Sequence, residues 1–208
     1  MKNPPIKSPI ASVNNKQLIN REQYTVSDGV NDYVLFDSES LANATIEIRI
    51  LYKSSEYQFM QLSDDVNTNR YLSATMNSAI GNTGQIGIDT RENTGDTTQS
   101  GFYISGQSWS DDDWITIIIN TDGNGDISSA TANDVSMTNS GVSESRANSG
   151  GGNHFYIGAR FGSAFAYKGL IDYFKFDNAT NCIKGYNHQG WNGGTVGGSP
   201  TNFFETIT

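Results

Sequence analysis

The sequence has a single cysteine and no long apolar run. With only Cys182 among 208 residues, no disulfide can form within the chain, and the fold has to be stabilised by core packing. No apolar run approaches the roughly 18–20 residues that a membrane-spanning helix needs. Residues 1–10 lack the apolar stretch of a secretory signal, so no export signal is expected.

Positive charge is also scarce. The 13 basic residues stand against 22 acidic ones, and the formal net charge is −9. Since a nucleic-acid binder carries a basic face, nucleic acid is not expected as a partner. Hydrophobic residues make up 36% of the chain and charged ones 17%, while Asn, Ser, Thr and 22 Gly fill much of the remainder. These residue types serve turns and oppose helix interiors, which favours an all-β fold.

Short apolar runs alternate with turn-forming clusters from Tyr24 onward, and no run has the period of a helix. Thr45–Ile50 alternates strictly, which predicts that its isoleucines face the core and that Glu47 and Arg49 face outward. Trp114–Asn120 is apolar on both faces and is predicted to be a central strand. The eleven predicted strands are Gln23–Val26, Tyr33–Phe36, Thr45–Tyr52, Tyr57–Leu62, Arg70–Thr75, Gln85–Thr90, Gly101–Ser105, Trp114–Asn120, Ile127–Ala132, Phe155–Arg160 and Tyr167–Asp177.

Composition divides the chain into an arm (1–21), a strand-rich body (22–180) and a Gly-rich segment (181–208) that is predicted to be irregular and packed on the body. The arm contains four bases and no acid, so it carries +4 and the remainder carries −13 (−9 minus 4). Its prolines predict an extended segment. Two interpretations stay open, a frayed terminus or an arm that docks on an acidic partner. The docking candidates are Lys2, Pro4, Pro5, Lys7 and Pro9.

Three motifs in the second half of the chain resemble a known fold family. They are Trp114-Ile-Thr-Ile-Ile-Ile-Asn-Thr-Asp-Gly, Phe155-Tyr-Ile-Gly-Ala-Arg and Lys168-Gly-Leu-Ile-Asp-Tyr-Phe-Lys-Phe, and they are similar to the closing half of a concanavalin A-like lectin/glucanase (laminin-G-like) domain. Asp28-Gly-Val-Asn-Asp-Tyr-Val resembles the opening motif of that family. The resemblance covers about residues 22–178. It implies a two-sheet antiparallel jelly-roll sandwich of the kind found in bacteriophage virion proteins.

Catalytic members of that family carry Glu-x-Asp-x-x-Glu, whose carboxylates act as nucleophile and acid/base. None of the seven Glu residues here has Asp two positions further on, so the chain is not expected to be an enzyme. Zinc spacing, a Gly-x-Ser-x-Gly elbow and a phosphate-binding loop are likewise absent. His154 and His188, the two histidines of the sequence, are interpreted as residues of surface loops.

Aromatic rings and acidic turns are the remaining candidates for a binding site. Tyr103, Trp109, Tyr167 and Trp191 are candidate sugar-stacking rings, against the alternative that they are core residues. The carboxylates of Asp111, Asp112 and Asp113 suit Ca²⁺, against the alternative of a solvated acidic turn. Asn120–Gly125 copies the opening of a calcium loop but lacks its bidentate Glu, so a hairpin turn is predicted there.

Two functions follow from these expectations. The first is a non-enzymatic structural or accessory protein of a virion, in capsid decoration, a head fibre or the tail. It would present the sandwich for surface or glycan attachment, with other virion proteins or copies of itself as partners. The alternative is a free, extracellular carbohydrate-binding module or lectin. No cofactor is expected other than Ca²⁺ at the acidic turn.

Overall fold

A computed structural model describes fifteen segments of the chain. They are residues 21–37, 41–54, 58–64, 71–76, 86–91, 100–104, 109–111, 113–123, 125–139, 153–158, 167–177, 184–187, 190–192, 195–197 and 201–206. All the regular secondary structure in these segments is β-strand. No helix within these ranges is long and apolar enough to cross a membrane.

The described segments contain seventeen strands. In chain order they are β1 (Arg21–Asp28), β2 (Tyr33–Asp37), β3 (Thr45–Leu51), β4 (Gln58–Asp64), β5 (Tyr71–Thr75), β6 (Gly87–Arg91), β7 (Ser100–Tyr103), β8 (Trp114–Thr121), β9 (Ile127–Ala132), β10 (Val135–Ser136), β11 (Thr138–Asn139), β12 (Asn153–Ile157), β13 (Lys168–Asp177), β14 (Lys184–Asn187), β15 (Gly190–Asn192), β16 (Thr195–Gly197) and β17 (Thr201–Thr206).

The strands form two antiparallel sheets. The first sheet has the order β10-β9-β8-β3-β13-β1-β17, and the β14–β15 hairpin pairs with β13 beside this path. The second sheet has the order β11-β7-β6-β5-β4-β12-β2-β16. Strands that are adjacent in the sheets are often distant in sequence, as a jelly-roll sandwich requires. The predicted fold class is confirmed.

Each of the eleven predicted strands overlaps an observed one, and β8 lies inside the first sheet as predicted. Two expectations are wrong. The described residues after Asn181 are not irregular, because β14, β16 and β17 pair with β13, β2 and β1. This pairing is non-local, so the Gly-rich sequence shows no sign of it. His154 is not in a loop but lies in β12, opposite Asp37 and Ser63.

The core lies between the two sheets. Burial alternates along β3 and β8, and the inward isoleucines of both strands are at most 1% exposed. Phe174 and Phe176 of β13 point inward, and each is 1% exposed. The ring of Phe174 stacks on that of Phe36 from the second sheet, with centroids 5.4 Å apart. This contact joins the sheets through the long-range packing that replaces disulfides here.

At one edge of the sandwich the chain crosses from the first sheet to the second. β10 pairs with β9 in the first sheet, and β11 pairs with β7 in the second. Met137 between them is 7% exposed, and its N–H donates to the carbonyl of Ala130 at 2.9 Å. The crossing covers the core at this edge with a buried side chain.

The start of β13 depends on a close approach at Gly169. Tyr167 is fully buried, and its hydroxyl donates to the carbonyl of Leu51 at 2.6 Å. A Cβ at Gly169 would overlap the phenol of Tyr167. A glycine is therefore required at this position by a buried tyrosine that is anchored to β3.

We expect Gly169→Ala to lower the free energy of unfolding by about 1–3 kcal/mol, because the added methyl overpacks a site that Tyr167 cannot leave without losing its hydrogen bond. Urea denaturation would measure the change. Gly123→Ala is the control, since the nearest atoms to its Cβ, on the side chain of Asn43, are 3.8 Å away. Equal midpoints for the two variants would contradict the expectation.

Candidate functional site

Three adjacent strands of the first sheet, β8, β3 and β13, carry polar and aromatic side chains on the side away from the core. Glu47 and Arg49 alternate with the buried isoleucines of β3, and their outward orientation is confirmed. The register places Thr116 of β8 and Tyr173 of β13 on either side of Arg49. We call the following residues the outer-face cluster: Glu47, Arg49, Trp114, Thr116, Asp172, Tyr173 and Lys175.

A β-bulge in β13 brings Asp172 to Arg49. Alternation counted back from the buried Phe174 would point Asp172 into the core. The register with β3 shifts between Ile171 and Tyr173, and the extra residue re-aims the Asp172 carboxylate. Its Oδ2 lies 2.6 Å from Nη1 of Arg49, and the Asp172 side chain is only 3% exposed. A nearly buried carboxylate is thereby neutralised from the outer face.

Arg49 has a second contact, on the ring of Trp114. The guanidinium carbon lies 5.1 Å from the ring centroid, within the range of a cation–π interaction. Both Arg49 and Trp114 remain partly exposed, and the Arg49 side chain keeps 31% of its accessible surface. The ring is therefore held in place by a cation whose own position is set by Asp172.

Glu47 organises the other half of the cluster. It accepts a hydrogen bond from the Tyr173 hydroxyl at 2.5 Å, and it forms an ion pair with Nζ of Lys175 at 3.2 Å. Nζ of Lys175 also lies 4.7 Å from the centroid of the Tyr173 ring. Burial, and then the hydrogen bond to Glu47, raises the pKa of Tyr173 to about 12. The phenol therefore remains a donor throughout the physiological pH range.

The side chains of the cluster are held in place by contacts with one another. Two half-buried rings are each contacted by a cation, and each carboxylate is already paired with a base. Partly exposed hydroxyl, carboxylate and guanidinium groups surround the rings, which suits a ligand with one apolar face and several hydroxyls. Across the described segments, no group of three or more His, Cys, Asp or Glu residues is placed to hold a metal ion.

The aromatic residues singled out from the sequence have different outcomes. Tyr103 is half-buried in β7 of the second sheet. Trp109 packs partly against the core, and its Nε1 is buried without a hydrogen-bond partner. The prediction for Tyr167 is wrong, because its ring is fully buried and anchored to Leu51. The backbone of Trp191 lies in β15 beside Tyr186, and its side chain is outside the description.

The acidic turn before β8 uses its carboxylates to hold the backbone. Oδ1 of Asp111 accepts the N–H of Ser54 at 2.7 Å, and this bond holds the pKa of Asp111 below its ordinary value. Oδ2 of Asp113 accepts the N–H of Ser110 at 2.8 Å. These contacts are those of an acidic turn, whereas Asp112 lies outside the described residues, so a calcium site here stays a prediction.

Two further predicted features have different outcomes. The hairpin turn predicted at Asn120–Gly125 is confirmed, with the N–H of Gly125 donating to the carbonyl of Asp122 at 3.0 Å. The oxygen-rich loop is thus used to join β8 to β9. The docking residues Lys2, Pro4, Pro5, Lys7 and Pro9 lie outside the described segments, and their role stays a prediction.

Sequence reasoning missed Trp114, Asp172, Tyr173 and Lys175 as members of one surface. Alternation contained part of the signal, because Tyr173 and Lys175 interleave with the inward Phe174 and Phe176. It did not show that β13 and β8 flank β3, which is what brings these residues to Arg49 and Glu47. Alternation could not predict the direction of the Asp172 side chain, because that direction depends on the bulge.

Comparison with solved structures identifies the fold. A native heptameric SAP-like pentraxin from Limulus polyphemus superposes with a TM-score of 0.57 over 89% of this chain and 95% of its own, at 10% identity. Domains LG4–5 of the mouse laminin α1 chain give 0.56 over 82% of this chain, at 10% identity. The match spans 44% of that laminin chain. This chain has a concanavalin A-like jelly-roll fold.

A third structure is less similar. The CBM40 of the Ruminococcus gnavus IT-sialidase, bound to α2,6 sialyllactose, gives a TM-score of 0.46 at 14% identity over 72% of this chain and 88% of its own. A similarity at this level does not support an argument about the site. No protein-family model matches the sequence, and no curated protein is detectably similar to it.

The raised pKa of Tyr173 generates a stability prediction at high pH. A folded-state pKa of about 12, above the ordinary tyrosine value of 10.0, means that the stabilisation is complete below pH 10 and is lost as pH rises toward 12. We expect the wild-type free energy of unfolding to exceed that of Tyr173→Phe by a constant amount from pH 7 to 9. Above pH 10 this excess should decline, because the wild-type free energy of unfolding falls.

Denaturant titrations of both proteins at each pH would measure this difference, and other titrating groups cancel in the subtraction. Tyr33→Phe, on the second sheet and outside the cluster, serves as the control. A wild-type advantage that stays flat up to pH 12 would contradict the proposed burial and hydrogen bonding of the phenol.

Proposed function

We propose that this chain is a non-enzymatic binding domain that contacts glycans through the outer-face cluster. The single observation that carries the proposal is the placement of the partly exposed Trp114 and Tyr173 rings on the outer face of the first sheet, each in contact with a cation beside hydrogen-bonding groups. The C–H face of a sugar packs against such rings, while its hydroxyls bond to carboxylate and hydroxyl groups. Because the side chains are already ordered by their own contacts, little rotamer entropy is lost on binding.

The same contacts argue against an acid–base role for the cluster. A general acid needs a carboxyl group able to exchange its proton with a substrate. Asp172 is paired with Arg49, and Glu47 is paired with Lys175 and bonded to Tyr173. Both carboxylates are therefore engaged in holding the surface, which supports binding without catalysis.

We further propose that the domain serves a virion as a structural or accessory protein in capsid decoration, a head fibre or the tail. The contrast between an arm of charge +4 and a remainder of charge −13 supports an arm that docks on an acidic neighbour. Repeated copies on a particle would turn weak single contacts into firm attachment. A free extracellular lectin, with or without Ca²⁺ at Asp111–Asp113, is the alternative, and it would use the same face without the arm.

The glycan proposal is tested with Trp114→Ala. We expect the wild type to bind a subset of a glycan array, and the variant to lose at least about tenfold in affinity for those glycans, since truncating a central Trp of an interface typically costs 2 kcal/mol or more. Isothermal calorimetry would measure the affinities.

Tyr33→Ala is the matched control for this variant, because Tyr33 is a half-buried ring packed 5.9 Å from Tyr156 on the second sheet. It should bind as the wild type does. Loss of binding in Tyr33→Ala but not in Trp114→Ala would move the site to the second sheet. A wild type that binds no glycan would refute the glycan proposal.

The virion proposal is tested by deleting residues 1–20. In a virus that encodes this chain, we expect the deletion to abolish incorporation into particles, while circular dichroism and melting show a folded sandwich, because β1 begins at Arg21. Replacing Lys2 and Lys7 by Glu should weaken incorporation if charge drives docking. Normal incorporation of the deleted chain would rule out the arm as the dock and leave the free-lectin alternative.

A further inference from the structure

The outer-face cluster contains as many cations as carboxylates. Arg49 and Lys175 balance Asp172 and Glu47, so the cluster has no net charge although the whole chain carries −9. The two ion pairs are made within the cluster, at 2.6 Å and 3.2 Å. A ligand that meets this face therefore finds hydrogen-bonding groups whose charges are already compensated.

An anionic ligand could recruit Arg49 only by separating it from Asp172, which would leave the Asp172 carboxylate without its cation. The Asp172 side chain is 3% exposed, and its Oδ2 lies 2.6 Å from Nη1 of Arg49. Removing one partner from a nearly buried ion pair leaves an uncompensated charge out of water, which is strongly unfavourable. The second contact, on Trp114, would be lost in the same movement. The charge of Arg49 is therefore already compensated by groups of the protein itself.

Lys175 is more exposed, at 50%, but it is also engaged. It contacts both Glu47 and the Tyr173 ring, so a carboxylated ligand would have to compete with Glu47 for it. The net negative charge of the chain adds a long-range repulsion toward anions. Neither cation of the cluster is thus available to recognise an acidic sugar.

We propose that the outer-face cluster selects uncharged glycans over glycans that carry carboxylate or sulfate groups, and that Asp172 determines this specificity by neutralising Arg49. The proposal rests on the glycan-binding function proposed above and names its ligand class. It predicts that the wild type binds neutral oligosaccharides with little dependence on ionic strength, because no net charge is exchanged with the ligand.

The test uses the full chain, an array of neutral oligosaccharides and their uronate-containing counterparts of equal length, and NaCl from 50 to 500 mM. For the wild type we expect binding to neutral sugars that changes less than about twofold across the salt range. Asp172→Asn keeps the size and an acceptor oxygen but frees the charge of Arg49. We expect this variant to gain about tenfold or more for uronate sugars, and the gain should fall with salt.

Asp134→Asn is the matched control, because it makes the same change in net charge at an exposed turn position with φ of 64°, a backbone conformation that Asn tolerates. It should show no gain for uronate sugars. Wild-type preference for acidic glycans, or a folded Asp172→Asn variant without the gain, would overturn the specificity proposal and leave the glycan-binding function standing.

A wild type that binds neither class would instead overturn the glycan-binding function, and the specificity proposal with it. If Asp172→Asn does not fold, the wild-type comparison of neutral with uronate sugars, together with its salt dependence, still decides the ligand class.

Discussion

Strand β3 pairs with β8 on one side and β13 on the other, and this pairing sets both faces of the first sheet at once. Its isoleucines fill the core, while Glu47 and Arg49 between them belong to the outer-face cluster. A slip of one residue would exchange the two sets of side chains. Each buried isoleucine contributes about 1.5–3 kcal/mol against roughly 0–1 kcal/mol for an exposed ion pair, so packing of the core fixes the geometry of the site.

The Arg49–Asp172 pair differs from the other contacts of the surface because one partner is nearly buried. Desolvation offsets much of the attraction in such a pair, so its contribution to stability is small although losing one partner is costly. Its structural effect is larger, since the bulge that re-aims Asp172 also fixes Arg49 against Trp114. A local irregularity in one strand thus orders a ring on another strand two positions away in the sheet.

The shared fold and the candidate site are separate findings. TM-scores of 0.57 and 0.56 at 10% identity show a common architecture with the pentraxin and the laminin domains. One architecture hosts many ligands, so the function has to be argued from the side chains on its surface. Here that argument depends on the paired charges and rings that three adjacent strands carry. The sheet itself would form with any pattern of outward residues.

Local patterns in the sequence determined the all-β class, the eleven main strands and the facing of residues such as Ile48 and Glu47, because alternation with a period of two depends only on neighbours in the chain. Only the tertiary structure decided that β17 pairs with β1, that Tyr167 is in the core, and that Trp114, Arg49, Asp172 and Tyr173 share one surface. Those outcomes depend on which distant strands hydrogen-bond and on one bulge, and neither leaves a periodic trace in the sequence.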